Sequence, residues 1–248
     1  MVTQSINNKN IFMTCHWEDL IISTFEVDKA ILEKYLPNNT ELDLFNGKAL
    51  MSIVAFTFSK VKFFEIKIPF HQKFGQINFR FYAKSKIDGT KGVVFIKEFA
   101  PKPIIALTAN IFYNEPYFTK NIRFNISTKS DEKTIKYAYK DMSVKAKVKT
   151  ASKPLIKNSL EEFVVDRYVA FVKSNTSKTL QYRIHHKPWK LYEFIHTEIN
   201  ENLISLLPKH FKSAKLIKTY IVDGSFVSVE KGKLPTTISV EKTRTHFA

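Results

Sequence analysis

The chain has 248 residues and a formal net charge of +16, from 39 Lys plus Arg against 23 Asp plus Glu. Hydrophobic residues make up 44% and aromatics 14%, with 22 Phe, enough to build a packed core and to exclude an intrinsically disordered chain. Cys15 is the only cysteine, which excludes an intrachain disulfide and points to a reducing compartment. The opening MVTQSINNKN carries no apolar h-region. The longest apolar runs, 53–56, 93–96 and 104–107, are far too short to span a bilayer. A soluble cytoplasmic protein with no membrane partner is the expectation. The positive excess is nearly all lysine, with arginine only at 80, 123, 167, 183 and 244. Base readout favours arginine, whose fork pairs with guanine. The lysines alternate with apolar residues on strands and read as a solvated face, so a nucleic-acid partner is not expected beyond non-specific attraction at low salt.

Taken in chain order, residues 12–25 read as a first strand region. Asp28 reads as the N-cap of a short helix over 29–36, stopped by Pro37. Residues 41–45 alternate and meet Asn46-Gly47, a strong hairpin signal whose return strand is 48–60. That strand is apolar on both faces in its middle and is therefore expected to be central. Residues 63–70 read as a loop or edge strand ending at Pro69. Residues 76–86 have period two, with Ile77, Phe79 and Phe81 on one face and Asn78, Arg80 and Tyr82 on the other. Asp88-Gly89 turns the chain into a partner strand over 93–99. Pro103 opens a predicted helix with Ile104, Leu107, Thr108 and Ile111 as its buried stripe.

The second half continues with strands at 121–128, 133–139 and 143–150, the last two joined at Lys140-Asp141. Lys145, Lys147 and Lys149 share one wet face there, and 151–158 reads as a linker containing Pro154. Ser159 with Glu162 has the form of a capping box. Leu160, Phe163, Val164, Tyr168, Phe171 and Val172 line one face of the helix predicted after it. Strands follow at 179–184 and 191–196, then a short helix at 200–207 closed by Pro208. A hairpin of 218–222 with 225–230 is expected around Asp223-Gly224, and 232–248 reads as a loose polar tail, as does 1–10. Many strands, short turns and two or three flanking helices predict an α+β, mainly antiparallel, strongly curved sheet forming a single domain over 1–248.

Three segments carry a family likeness: WEDL at 17–20, the stretch 75–120, and HHKPW at 185–189. Together they resemble the YqjF-like family, a branch of the acetoacetate decarboxylase superfamily, over roughly residues 17–231. The resemblance implies a closed β structure or barrel with a central cavity and helices against it. Superfamily members often form homo-oligomers. Acetoacetate decarboxylase uses a lysine that forms a Schiff base with a keto acid, and a neighbouring lysine depresses its pKa so that a neutral amine can attack. That lysine pair follows a Gly-Phe-Pro segment. Here the matching segment is Asn114-Glu115-Pro116, followed by Tyr117 and Phe118, neither of which can form an imine. Schiff-base decarboxylation is therefore not expected. Lys120 is the nearest substitute amine and could equally be a surface lysine.

The remaining site candidates come from the residues themselves. Asn78, Arg80 and Tyr82 form an anion clamp if their face looks into a cavity, because a guanidinium donates bidentately to a carboxylate while amide and phenol orient it. The alternatives are a solvent-facing clamp, or neutralisation of Arg80 by Glu98 on the partner strand. Tyr117, in the nucleophile's place, is expected to reach the cavity. His185 and His186 point to opposite faces of a strand, so one of them is a candidate base or donor in the cavity and a shared metal ion is not expected; the alternative is a structural turn in which Trp189 is core and a His caps a backbone carbonyl. His16, His71, His196, His210 and His246 are scattered. Trp17 and Trp189 read as packing residues, with Trp189 forming part of the cavity wall. Cys15 has no nucleophile signature. No cofactor is implied.

These residues lead to three expectations in order. The first is a protein that holds a small anionic or carbonyl-bearing molecule, with Asn78, Arg80, Tyr82, Glu98, Tyr117 and Trp189 around it. The second is a non-imine lyase or hydrolase acting on such a molecule through Tyr117, Lys120, His185 or His186. The third is a polyanion binder, marked by a steep salt dependence.

Overall fold

Aromatic and β-branched residues at period two make this chain a sheet protein. The computed structural model describes residues 10–67, 72–100, 117–173 and 178–234. In chain order they form β1 (Ile11–Glu26), α1 (Lys29–Glu33), β2 (Thr40–Leu42), β3 (Leu50–Phe63), β4 (Ile66–Lys67), β5 (Lys73–Ser85) and β6 (Lys91–Ala100). Next come β7 (Tyr117–Thr119), β8 (Arg123–Lys129), β9 (Glu132–Tyr139), β10 (Met142–Pro154), α2 (Leu160–Val165), β11 (Val169–Lys173), β12 (Thr179–His186) and β13 (Lys190–Ile199). Two 3-10 turns, Glu201–Leu206 and Lys209–Ser213, lead into β14 (Lys215–Glu230). Among these residues no helix is long and apolar enough to cross a membrane. The helix expected over 103–111, and Asn114, Glu115 and Pro116, lie outside the described residues.

All the described strands join one mainly antiparallel sheet. Its main path runs β1-β3-β5-β6-β11-β12-β14 and then continues through β13, β10, β9 and β8. β14 also pairs along β1, from Ile11↔Glu230 to Glu26↔Lys215, so the first seven strands of that path close into a ring. The remaining strands form a flap that folds over the ring's outer wall. This gives two cores. Inside the ring lie Ile22, Val54, Phe56, Tyr82, Val172 and Val222. Between wall and flap lie Ile53, Phe79, Phe81, Val148 and Phe211. β3 and β5 are buried on both faces because they separate the two cores. Phe79 and Phe81 therefore lie in the outer core, together with residues of the flap and of the 3-10 turns.

Several local expectations hold. Asp28 accepts from the amide of Ala30 at 2.9 Å and caps α1. Asn46 and Gly47 both have positive φ, +49° and +78°, and close a tight turn between Phe45 and Lys48. The wet face of β10 is charge-balanced, with Lys145 on Glu198, Lys147 on Glu132 and Lys149 on Asp131.

Others are corrected. The strand before Asn46-Gly47 does not return on β3; β2 pairs with residues 83–85 of β5. The predicted linker is the end of β10, which runs to Pro154. The helix expected to reach 172 stops at Val165, and Val169–Lys173 is strand β11, paired with β12 and β6. An apolar run rich in valine satisfies both periodicities, and burial between two strands decides the outcome. Residues 201–206 form a 3-10 turn rather than an α-helix. The tail is held at Lys233, which exchanges two backbone hydrogen bonds with Gln181.

The hairpin at Asp223-Gly224 is also replaced. β14 passes straight through it, opposite Glu18 of β1. Gly224 has φ +81°, and a Cβ there would lie 2.0 Å from the Trp17 carbonyl oxygen. It is needed for close backbone approach at an irregularity of β1, where Asp19 also has positive φ. Gly89 (φ +71°) has open space around it. Gly224→Ala should therefore cost more than about 3 kcal/mol and Gly89→Ala about 1 kcal/mol, as read by urea denaturation. Equal losses would show that the contact with Trp17 does not constrain the ring.

Candidate functional site

The ring's inner wall carries a file of polar side chains on β5. Gln76, Asn78, Arg80 and Tyr82 alternate with Ile77, Phe79 and Phe81, and all four are at least 94% buried. The solvent-facing alternative is thereby removed. Beside them stand Ser52 of β3, across from Arg80, and Glu98 of β6, across from Asn78. From the turn to Arg80 the register is constant and sets Phe95 opposite Arg80; a bulge between Phe79 and Arg80 then shifts the pairing by one, so that Glu98 faces Asn78.

The file splits into two hydrogen-bonded groups. Gln76 Nε2 donates to Glu98 Oε2 at 2.7 Å. Ser52 Oγ shares hydrogen bonds with Thr24 Oγ1 at 3.0 Å and Tyr82 OH at 2.5 Å. Arg80 NH2 donates to the Val164 carbonyl at 3.1 Å, one of the last-turn carbonyls that a short helix leaves without an internal partner. Arg80 Nε, Asn78 Oδ1 and Gln76 Oε1 are buried and have no hydrogen-bond partner among the described residues. Burial pushes the Arg80 pKa down from its ordinary value; neighbouring Tyr82 and Glu98 oppose the shift and Arg167 adds to it. No described carboxylate lies within ion-pair distance of Arg80.

Arg167 shows what a satisfied buried arginine looks like in the same region. Its NH1 donates to Asp43 Oδ2 at 2.7 Å, its Nε donates to the Phe163 carbonyl at 2.7 Å, and its guanidinium lies 4.2 Å from the Phe163 ring centroid. The two arginines differ by one carboxylate.

The two histidines diverge. His185 turns outward, with Nε2 2.6 Å from Glu230 Oε1. His186 turns inward and stacks between Tyr168 and Trp189, with ring centroids 4.4 and 4.0 Å away. Its Nδ1 donates to the Lys187 carbonyl at 2.9 Å, which places the neutral ring's lone pair on Nε2. Nε2 is buried and has no partner among the described residues. Burial lowers the His186 pKa; the Lys187 and Arg167 carbonyls and Asp166 act against this, and Arg80 acts with it. Trp189 is buried, donates to Ser225 Oγ at 2.9 Å and packs near Trp17.

Tyr117 pairs beside Glu98 in the parallel β6–β7 contact and packs on the inner core. Phe118 turns the other way, against Phe99 and under Lys97. Lys120 places Nζ over the Tyr139 ring at 5.6 Å, and Tyr139 packs on the outer core. Cys15 is buried in the ring wall, and burial raises its thiol pKa. The structure thus groups Gln76, Asn78, Arg80, Tyr82 and Glu98 inside the ring, adds Tyr117 and His186, and separates Lys120 and His185 from them. Sequence reasoning missed Gln76, Ser52, Thr24 and Tyr168. Gln76 has the same parity as Arg80, so the alternation alone could have found it. The others come from distant strands and leave no local signal.

A family model described as an uncharacterized conserved protein, DUF2071, matches residues 14–215. The chain belongs to that family. It is 28% identical over 219 residues to the uncharacterized protein YqjF of Bacillus subtilis (strain 168), covering 82% of this chain and 87% of YqjF. Among solved structures it is similar to the acetoacetate decarboxylase of Legionella pneumophila, with a TM-score of 0.62, 12% identity, and coverage of 92% of this chain and 88% of that one. It is also similar to the enduracididine biosynthesis enzyme MppR complexed with pyruvate, with a TM-score of 0.61, 10% identity, and coverage of 92% and 91%. At these identities the likeness to the solved structures establishes the acetoacetate decarboxylase-like fold.

Two outcomes follow for the buried charges. Asp43→Asn should cost about 3–5 kcal/mol, because it strands Arg167, whereas Arg80→Met should change stability by less than about 1.5 kcal/mol or raise it. Chemical denaturation of both variants checks this, and a large loss in Arg80→Met would mean that Arg80 is structural. For His186, a depressed folded pKa means that the unfolded chain binds the proton more readily. Its contribution to stability is then complete above about pH 6.5 and is lost as pH falls toward the folded value. His186→Phe, which keeps the stack, should flatten that part of a melting-temperature profile. An unchanged slope between pH 7.5 and 5 would sink the assignment.

Proposed function

We propose that this family member binds a small organic acid inside the ring, with Arg80 as its counter-charge and Asn78, Tyr82 and Tyr117 orienting it. The observation that carries this reading is the Arg80 guanidinium, buried without a carboxylate partner among the described residues. A buried charge is normally paired, and a ligand carboxylate is the pairing that the fork geometry favours. A protein of the same fold, MppR, has been solved with pyruvate, which supports a small acid as the ligand class. Imine chemistry is not part of the proposal. Tyr117 and Phe118 stand where the resemblance places the lysine pair, and Lys120 lies on the outer layer.

A second reading adds catalysis. Inward-facing His186, with a neutral ring and a lone pair on Nε2, is suited to accept a proton from a bound acid or from water, as a lyase or hydrolase would require. The two readings divide on turnover.

A thermal-shift series with pyruvate, acetoacetate, lactate and 3-hydroxybutyrate tests the site. A ligand at a hundred times its Kd stabilises by about 2.7 kcal/mol, roughly 5–10 °C for a chain of this length. The shift should vanish in Arg80→Met. A flat series would sink the reading. With any ligand that binds, NMR of the mixture over hours should return it unchanged from a binding protein and consumed from an enzyme.

A further inference from the structure

We propose that the bound acid carries a hydrogen-bond donor beside its carboxylate, making it a hydroxy acid rather than a keto acid. This deepens the small-acid reading above and depends on it. On β5 the inner wall offers one unpartnered donor and two unpartnered acceptors. Arg80 Nε is the donor; Asn78 Oδ1 and Gln76 Oε1 are acceptors, each on a side chain at least 94% buried and each without a partner among the described residues. The orientation of Gln76 is set by Glu98. A carboxylate oxygen accepts, so the Gln76 amide nitrogen must face it and the carbonyl oxygen must face away. His186 Nε2 adds a third buried acceptor with no hydrogen-bond partner among the described residues, because Nδ1 is committed as a donor to Lys187.

Spacing sets what fits. Two residues along a strand span roughly 7 Å, so Asn78 and Arg80 hold an acceptor and a cationic donor one small molecule apart. A carboxylate answers Arg80. The group answering Asn78 Oδ1 must bring a hydrogen. A ketone oxygen cannot do so; Asn78 could turn its amide nitrogen to a ketone, but Gln76 Oε1, oriented by Glu98, would stay unmet in a buried wall, where an unmet polar atom is expensive. A hydroxyl can donate to Asn78 or Gln76. An ammonium would also donate, but it would add a positive charge near Arg80 and Arg167, with Glu98 across from Asn78 as the counter-charge and that carboxylate already accepting from Gln76. A neutral hydroxyl is therefore the donor that suits this wall.

Matched pairs test the inference directly. Calorimetric titration with both enantiomers of lactate against pyruvate, and both enantiomers of 3-hydroxybutyrate against acetoacetate, compares molecules that differ by the donor. One hydroxy acid should bind at least about tenfold tighter than its keto partner, the ratio expected when a buried acceptor gains or loses its hydrogen bond. Asn78→Leu should bring that ratio toward one, weakening the hydroxy acid more than its keto partner. Unliganded melting temperature checks that this variant folds, and the preference of the unmodified protein decides the matter without it. Keto acids binding equally or more tightly, with binding still lost in Arg80→Met, would overturn the hydroxy-acid assignment and leave the site intact. Tighter binding of alanine than of lactate would overturn it as well. Absence of binding by every probe would overturn the site reading itself.

Discussion

Pairing of β1 with both β3 and β14 is the constraint on which the molecule depends. An open sheet of these strands would expose two long edges and one face of β3 and β5. Closing the ring removes the edges and gives the sheet an inner face, so that β3 and β5 are buried along most of their length. Closure also requires local deformation. β1 breaks register near Glu18 and Asp19, and β14 passes that point only because Gly224 lets the Trp17 carbonyl approach. The flap strands then cover the outer wall and give β3 and β5 a second buried face.

Once the ring is closed, polar residues on its inner face must find partners inside it. Most do so through neighbours brought in by other strands, as in the Thr24, Ser52 and Tyr82 chain and the Gln76–Glu98 pair. Arg167 is neutralised by Asp43 and covered by aromatic rings. Arg80 is held by a single helix-end carbonyl and keeps unmet hydrogen-bonding capacity. Two arginines within reach of one tyrosine, one paired and one not, are hard to explain as packing, which would be better served by an apolar side chain.

The likeness to acetoacetate decarboxylases at 12% identity or below illustrates what a fold preserves. The overall arrangement of the chain survives, because it depends on alternation and turn positions more than on particular side chains. The chemistry of the interior does not have to follow. At the places expected for a lysine pair this chain has Tyr117 and Phe118, and β7 sends them in opposite directions, the phenol toward the inner core and the phenyl ring toward Phe99.

Alternation in the sequence determined the strands, their faces, the double burial of β3, and the placement of Asn78, Arg80 and Tyr82 on one side of β5. The turn at Asp88-Gly89, the cap at Asp28 and the tight turn at Asn46-Gly47 were legible because each depends on φ and hydrogen bonds within a few residues. Only the tertiary structure decided that the polar side of β5 faces inward, since period two separates the faces without saying which one is enclosed. The tertiary structure also decided that Val169–Lys173 is a strand, that Asp223-Gly224 continues β14 rather than turning it, and that a bulge moves Glu98 beside Asn78. In each of these cases local propensity was divided or misleading, and the outcome was set by a partner strand far away in sequence, whose position no window of the chain contains.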